Sequence, residues 1–334
     1  MTAPPAEGVR VDWDSLPGQA RAGIERMCGS PVIRARSQPG GFSPGLAARL
    51  ECADGSRWFV KAVSSAANPD SCAMHRREAQ ILRSLDPMIV SGTLPAPRMR
   101  GTLEADPWTV VILDDIDGRH PRLPWEPSEL AAVAAAVEQL ADALTPSPIE
   151  TRSVSEYFAA DFTGWRTLAA AADPGAIDAW SKAHLDELAE LEHQWPQHLA
   201  GQTLLHADIR ADNLLLTGGQ GDRGRRGDRG DRASGGERVV FVDWPHACIG
   251  AAFADMIFMA PSVTMQGGPP PGELLSMTRA GRVADPEAVA TAVCAVAGYL
   301  TERSLLPAPP GIPTVRAFQA AQGEIARRWL ADLL

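Results

Sequence analysis

The stretch Leu204–Leu216, LLHADIRADNLLL, sets a polar block between two apolar runs. Leucines on both sides read as buried elements, so His206, Asp208, Arg210, Asp212 and Asn213 belong to a tight loop between them. About thirty residues on, the apolar run Val239-Val240-Phe241-Val242 ends on another acid, Asp243, followed by Trp244. An acid at the end of a buried strand is costly unless a charged partner satisfies it, and Mg²⁺ is such a partner. An aspartate and an asparagine five residues apart can curl round one reaction centre. Asp208 can accept a hydroxyl proton and orient the nucleophile, and the side-chain carbonyl of Asn213 can ligate Mg²⁺. His206 fits an organiser of the loop better than a titrating group. Taken singly, each acid reads as a cap or a turn residue. Two of them at the ends of apolar runs, one with the asparagine, read as one site.

Upstream lies a third cluster. RSQPGGFSPG, Arg36–Gly45, is a turn rich in glycine and serine between two strand signals. Such loops bring backbone N–H groups close to phosphates, and Gly41 and Ser43 are the candidates here. The strand RWFVKAV follows and carries Lys61 among apolar neighbours, either an amphipathic edge residue or a phosphate-binding cation. Glu78, on the helix after it, can pair with Lys61. The glycine loop alone is a weak signal. The loop, the lysine, the helical glutamate, H-x-D-x-x-x-x-N and the acid-terminated strand, in that order, are a strong one.

Around these clusters the chain changes character. Residues 1 to about 110 carry apolar or alternating runs broken by turn signals: PVIRAR, LAARLECADGSRWFVKAV with an Asp-Gly turn, and PWTVVILDDI. One helix interrupts them, with Asp70 as its expected cap and Met74, Ile81 and Leu85 at helical spacing. Beyond about 120 the pattern is helical. Leu130, Val133, Val137, Leu140 and Leu144 form one stripe, residues 155–195 read as helix, and Val315, Phe318, Ile325 and Trp329 form a last stripe. A strand-rich first third before a helix-rich remainder predicts an α+β protein of two lobes, 1–115 and 116–334. Residues 218–236, GGQGDRGRRGDRGDRASGG, lack apolar residues apart from Ala233 and read as a mobile insertion between two strands.

Composition sets outer bounds. With 334 residues and 45% hydrophobic content the chain can build a sizeable core, and a net charge of −10 speaks against nucleic acid or an anionic membrane as the main partner. The five cysteines form no C-x-x-C pair and are odd in number, which disfavours a zinc site or a disulfide framework. The first residues show no secretory leader pattern, and Ala288–Leu300, the longest apolar stretch, is too short to span a bilayer. A cytoplasmic protein is expected, as a monomer or homodimer.

The order of parts resembles the aminoglycoside phosphotransferase family, within the protein-kinase-like superfamily of small-molecule kinases. LLHADIRADNLLL is similar to that family's H-G-D-x-x-x-x-N loop, with Ala207 in place of the glycine. VVFVDWPHACIGAAFAD is similar to its I-D-W/F segment through Gly250 and Asp255, with Pro245 and Ala251 as departures. The resemblance implies a two-lobed protein-kinase-like fold with a nucleotide-binding N-terminal lobe and a helical catalytic lobe. It implies ATP and Mg²⁺ as cofactors. Asp208 is then the catalytic acid-base group supported by His206, Asn213 and Asp243 bind the metal, and Lys61 paired with Glu78 holds phosphate. Asp255 supports the catalytic loop, and the backbone of Asp114 and Ile116 reads adenine from the linker.

The implied activity is phosphate transfer to a hydroxyl of a small molecule, with an aminoglycoside-type antibiotic as the candidate acceptor. Tyr157, Asp161, Trp165, Trp244, His246 and Gln266 are candidate acceptor-wall residues. The competing reading is a catalytically silent, kinase-like nucleotide-binding protein with a regulatory role.

Overall fold

Why Lys61 ends up in a cleft follows from strand periodicity. Its neighbours Val60 and Ala62 are fully buried on one face of a sheet, so Lys61 points from the other. In a computed structural model describing residues 3–218 and 238–334, that sheet has five strands. These are β1 (Val32–Ser37), β2 (Leu46–Cys52), β3 (Arg57–Ser64), β4 (Met99–Ala105) and β5 (Trp108–Asp114). They run β1-β2-β3-β5-β4, and every neighbouring pair is antiparallel. Lys61 stands opposite Ala47 on β2 and Val111 on β5.

Helix α1 (Gly18–Cys28) lays Ile24 and Cys28 on the outer face, against Leu46, Ala48, Leu50, Val60, Ala62, Val110 and Ile112. Helix α2 (Pro69–Val90) joins Ala79, Leu82 and Leu85 to Val111 and Leu113 in the larger core. The cap of α2 is Asn68, whose side chain accepts from Ser71 N at 2.8 Å, and not Asp70 as expected. Pro69 decides this. Its fixed φ and missing N–H suit the first helical position, so the cap falls one residue earlier and Asp70 lies within the first turn. Strand β4 and helix α1 were not in the sequence reading. Residues of β4 alternate between exposed and half-buried, so that edge strand gives little apolar signal.

After β5 the chain crosses to α3 (Pro127–Ala143), which buries the predicted stripe of Leu130, Val133, Val137 and Leu140. The helical character expected over 155–195 is carried by a series of short helices: α4 (Val154–Tyr157), α5 (Gly164–Ala170), α6 (Ala179–Ala183), α7 (Leu185–Glu192) and α8 (Trp195–His198). Gly175, at φ 77°, lies between α5 and α6, where a right-handed helix cannot continue. Two short antiparallel pairs then carry the motif: β6 (Thr203–Leu205) with β9 (Cys248–Gly250), and β7 (Leu214–Thr217) with β8 (Arg238–Phe241). The predicted insertion falls between β7 and β8 and, apart from Gly218, lies outside the described residues.

Helices α9 (Ala254–Met265), α10 (Pro271–Ser276), α11 (Arg279–Arg282), α12 (Pro286–Ser304) and α13 (Val315–Leu333) complete the chain. The apolar stretch of α12 is buried almost all round, as a central helix requires. It meets α5 closely enough that a Cβ on Gly164 would stand 2.1 Å from Gly298 O, so only glycine fits there. Among the described residues, no helix is long and apolar enough to cross a membrane. All five cysteines are buried and unpaired.

Candidate active site

The catalytic-loop motif is held from beneath by one carboxylate. Asp255, in the first turn of α9, accepts from His206 N at 3.0 Å and from Ala207 N at 2.7 Å. Ala207 adopts φ 62°, a left-handed conformation that strains a residue with a Cβ. Burial raises the Asp255 carboxyl to about 6 against the pull of those two N–H groups. The imidazole of His206 is fully buried. Its Nδ1 accepts from Asp208 N at 3.3 Å, so Nε2 carries the proton and donates to Val242 O at 3.0 Å. Burial lowers this imidazole to about 4, which keeps it neutral. Both ring nitrogens are thus spent on backbone groups, and His206 organises the loop.

Asp208 leaves the loop with both oxygens engaged. Oδ2 accepts from Asn213 Nδ2 at 2.9 Å, and Oδ1 accepts from Arg210 Nη1 at 2.6 Å. Burial pushes its carboxyl above the usual range, opposed by Arg210. Asn213 also donates from Nδ2 to Asp208 O at 2.8 Å, which turns its Oδ1 away from Asp208. The carbonyl of Asn213 accepts from Val242 N at 3.0 Å, which brings the loop beside Asp243.

Asp243 follows β8 with φ 68°. Its Oδ1 lies 2.7 Å from Lys61 Nζ, and both oxygens of Glu78 lie 2.8 Å from the same nitrogen. Burial works against the Lys61 ammonium, but Asp243 and Glu78 outweigh it and the net shift is upward. Burial also opposes ionisation of Asp243, yet Lys61 holds its carboxyl well below the ordinary range. Burial pushes Glu78 up against Lys61, and the two equal contacts make Glu78 the acceptor of a shared pair. One turn before Glu78, His75 is buried, and burial with Lys61 nearby lowers it to about 3. Arg77 fastens α2 to the segment after Asp243, donating to Pro245 O and Ala247 O, each at 2.7 Å.

Of the linker candidates, Asp114 donates its N–H to Arg98 O at 3.0 Å and holds Arg100 through its carboxylate, at 2.5 Å to Nε. Ile116 O accepts from Arg49 at 3.3 Å. The glycine loop departs from expectation. The N–H of Gly41 is donated to Ala6 O at 2.9 Å, and that of Gly45 to Val9 O at 3.0 Å. Ser43 gives its carbonyl to the Arg10 guanidinium. The loop's backbone is thus tied by the segment 6–11 before any phosphate reaches it. Its tip, Phe42, meets Phe318 of α13 edge-on at 5.0 Å and lies under the Arg210 guanidinium at 5.3 Å.

Among the candidate acceptor-wall residues, Tyr157 Oη lies 3.1 Å from His246 Nδ1, and Asp161 pairs with Arg303 at 2.8 Å. Trp165 and Trp244 are fully buried core residues. Gln266 accepts from Trp125 N through its carbonyl. A cavity of about 340 Å³ lies elsewhere, between α3 and the α9–α11 region, lined by Val137, Ala141 and Met256 among others. The sequence reading had no place for Arg10, Arg77 or His75, and gave Arg210 no role although it lies inside the quoted motif.

Solved structures of similar fold cover nearly the whole chain. An aminoglycoside phosphotransferase from Alicyclobacillus acidocaldarius subsp. acidocaldarius DSM 446 gives a TM-score of 0.55 at 17% identity, over 95% of each chain. A thermostable mutant of aminoglycoside phosphotransferase APH(4)-Ia, in ternary complex with AMP-PNP and hygromycin B, gives 0.57 at 14% identity, over 93% of this chain and 98% of that one. Choline kinase LicA from Streptococcus pneumoniae gives 0.57 at 10% identity, over 94% and 98%. At these identities the likeness is one of fold. No curated protein sequence matches the chain. The decisive match is by sequence pattern: residues 39–226, more than half of the chain and spanning the glycine loop, Lys61, Glu78 and the catalytic-loop motif, fit the phosphotransferase enzyme family, and the chain belongs to that family.

Proposed function

We propose that the protein is an ATP- and Mg²⁺-dependent phosphotransferase acting on a hydroxyl of a small molecule, with aminoglycoside-type acceptors first in line. The observation that carries this is convergence. Lys61 from β3, Glu78 from α2, Asp208 and Asn213 from the catalytic loop and Asp243 from the end of β8 meet in one hydrogen-bonded array. On this reading residues 1–115 form the nucleotide lobe and 116–334 the helical lobe.

The residues fit a magnesium ion. Asn213 spends its Nδ2 on Asp208, so an amide oxygen faces away, and Asp243 has a second carboxylate oxygen beside the one on Lys61. One amide and one carboxylate, all oxygen, suit Mg²⁺ held jointly with nucleotide phosphates. Among the described residues no cluster of three histidine, cysteine or acidic side chains offers a metal cage of its own. When bound, the ion would neutralise phosphate charge.

The chain's own residues do the rest. Lys61, set by Glu78, binds phosphate oxygens. Asp208, which burial makes a stronger base than a free carboxylate, takes the acceptor hydroxyl proton as the acceptor oxygen bonds to the γ-phosphorus. The bond from that phosphorus to the bridging oxygen breaks, and the pair leaves on ADP. Asn213 and Arg210 aim the Asp208 carboxylate, so positioning supplies much of the rate. Buried, unpaired cysteines suit a cytoplasmic location, where ATP is available.

The test is Mg-ATP with a panel of hydroxylated acceptors, aminoglycosides and amino alcohols such as choline included, with products read by mass spectrometry. A gain of one phosphate on an acceptor is expected. Nucleotide binding with no transfer to any acceptor would favour the silent reading, and failure to bind ATP or GTP with Mg²⁺ would sink both.

A further inference from the structure

We propose that Arg10, on the N-terminal strap of residues 6–11, is a phosphate-contacting residue of the nucleotide site. The inference rests on the phosphotransferase reading, but the residue lies outside the span that matches the family, and no motif marks it.

The strap pairs with the glycine loop as an extra strand would. Gly41 N donates to Ala6 O, Gly45 N to Val9 O, and Val11 N to Gly45 O, at 2.9, 3.0 and 3.0 Å. Contact is backbone to backbone: a Cβ on Gly8 would stand 2.7 Å from Ser43 O. The other edge of the strap holds the helical lobe. Val9 N donates to Gly311 O at 2.8 Å, and Thr314 Oγ1 donates to Glu7 O at 3.1 Å. The strap therefore clamps the loop from both lobes.

From this strap Arg10 enters the loop. Its Nε donates to Gln38 O at 3.0 Å, and its two Nη atoms donate to Ser43 O and Gly40 O. A guanidinium has five N–H donors. Three go to loop carbonyls, so each Nη keeps one donor for another acceptor. The carbonyls it uses flank Phe42, which packs under Arg210, and Arg210 holds Asp208 at 2.6 Å. At the loop's end, a Cβ on Gly45 would stand 2.3 Å from Ala62 O, next to Lys61 on β3. Arg10 thus holds a loop whose tip packs against Arg210 and whose last residue abuts the strand that carries Lys61. Burial lowers the Arg10 guanidinium from its ordinary value, and the charge of Asp243 opposes that.

The chemistry fits an anion. Two glycine-loop N–H groups that could face phosphate are given to the strap, and the strap returns a cation with two spare donors. Arginine binds phosphate through paired donors, which a backbone amide cannot match in charge. A triphosphate in the cleft would then meet Lys61 from β3 and Arg10 from the loop.

The experiment compares equilibrium binding of Mg-ATP and of adenosine to the full chain, as wild type, Arg10→Gln and Arg10→Lys. For Arg10→Gln, ATP affinity should fall about tenfold or more, the scale of a lost charge-assisted hydrogen bond, with adenosine affinity changed less than about twofold. Arg10→Lys should recover part of the loss, because it keeps the charge and loses the fork. Adenosine binding in the same variant is the control for folding. Equal losses for ATP and adenosine would overturn the proposal and leave Arg10 as a staple of the loop. A gain in ATP affinity would overturn it in favour of a plug. Failure of the wild type to bind ATP would instead strike the phosphotransferase reading itself, before any variant is made.

Discussion

The floor of the cleft and its roof are held by opposite devices. In the floor, a short run of chain is pinned by buried groups: Asp255, His206 and Asn213 are each 5% exposed or less, and their side chains bond the backbone of residues 206–208 and of Val242. In the roof, residues 38–45 are half-buried or exposed along most of their length. They are held by a strap about thirty residues away in sequence and by one arginine. Buried charge-assisted bonds in a dry floor are expensive to break, whereas partly solvated backbone bonds with few apolar contacts open at low free energy. Of the two, the roof is the one that opens at lower free energy.

The largest effect that would test this contrast is on the base. Asp208→Asn should lower turnover by roughly two to four orders of magnitude while leaving nucleotide affinity nearly unchanged, since on the proposed reading the carboxylate acts on the acceptor and not on the metal. Steady-state rates and equilibrium titration would check it, and near-normal transfer would break the assignment.

Next is the floor's anchor. Asp255→Ala strands two buried N–H groups and should cost about 2–5 kcal/mol in denaturant unfolding. Asp255→Asn keeps one acceptor and should cost less. A change under about 1 kcal/mol for the alanine variant would mean that the floor is not pinned this way.

Acid separates the groups further. Burial lowers His206 to about 4 and His75 to about 3 from an ordinary 6.5. Both are neutral when folded, so their contribution is complete above pH 6.5 and is lost as pH falls toward those values. Asp255, raised from 3.8 to about 6, works in reverse: its contribution is complete below 3.8 and lost as pH rises through 6. The raised carboxyls of Asp255, Asp208 and Glu78 oppose the histidines in this window, so the difference in melting temperature between wild type and His75→Gln isolates the His75 share and should widen against the wild type between pH 6.5 and 4. A flat difference over that window would contradict a neutral buried His75.

The smallest effect is a gain. Ala207→Gly removes a Cβ from a left-handed position and should stabilise the floor by at most about 1 kcal/mol, because glycine's added freedom in the unfolded chain offsets part of the relief. A lower melting point would show that the methyl group packs usefully.

The same contrast explains what could be read from sequence. His206, Asp208 and Asn213 were legible because they are close in sequence, between apolar runs at fixed spacing, whereas Asp255, 48 and 49 residues from its partners, came only with the family resemblance. Lys61 was legible because strand alternation makes a lysine among apolar residues conspicuous. The strap was not, because Arg10 meets its partners across 28 to 33 residues through backbone carbonyls that any sequence supplies. Nor could spacing reveal that the N–H groups of Gly41 and Gly45 are taken by the strap. The cap of α2 was misread by two residues, since Asn68 and Asp70 both flank the proline and only the proline's geometry chooses. The helical character of 155–195 was legible, but its breaks, such as the one at Gly175, were not, because apolar content persists across them.

The five buried cysteines have a use that needs no cofactor. Cys28 and Cys52 lie in the outer core of the sheet, where burial raises the Cys28 thiol to about 12, while Cys248 and Cys294 lie in the core of the helices. A thiol-reactive dye can modify any of them only when its surroundings part, so modification rates become clocks on separate halves of the molecule. Peptide mapping of the dye would tell which half breathes first and which one a nucleotide quiets.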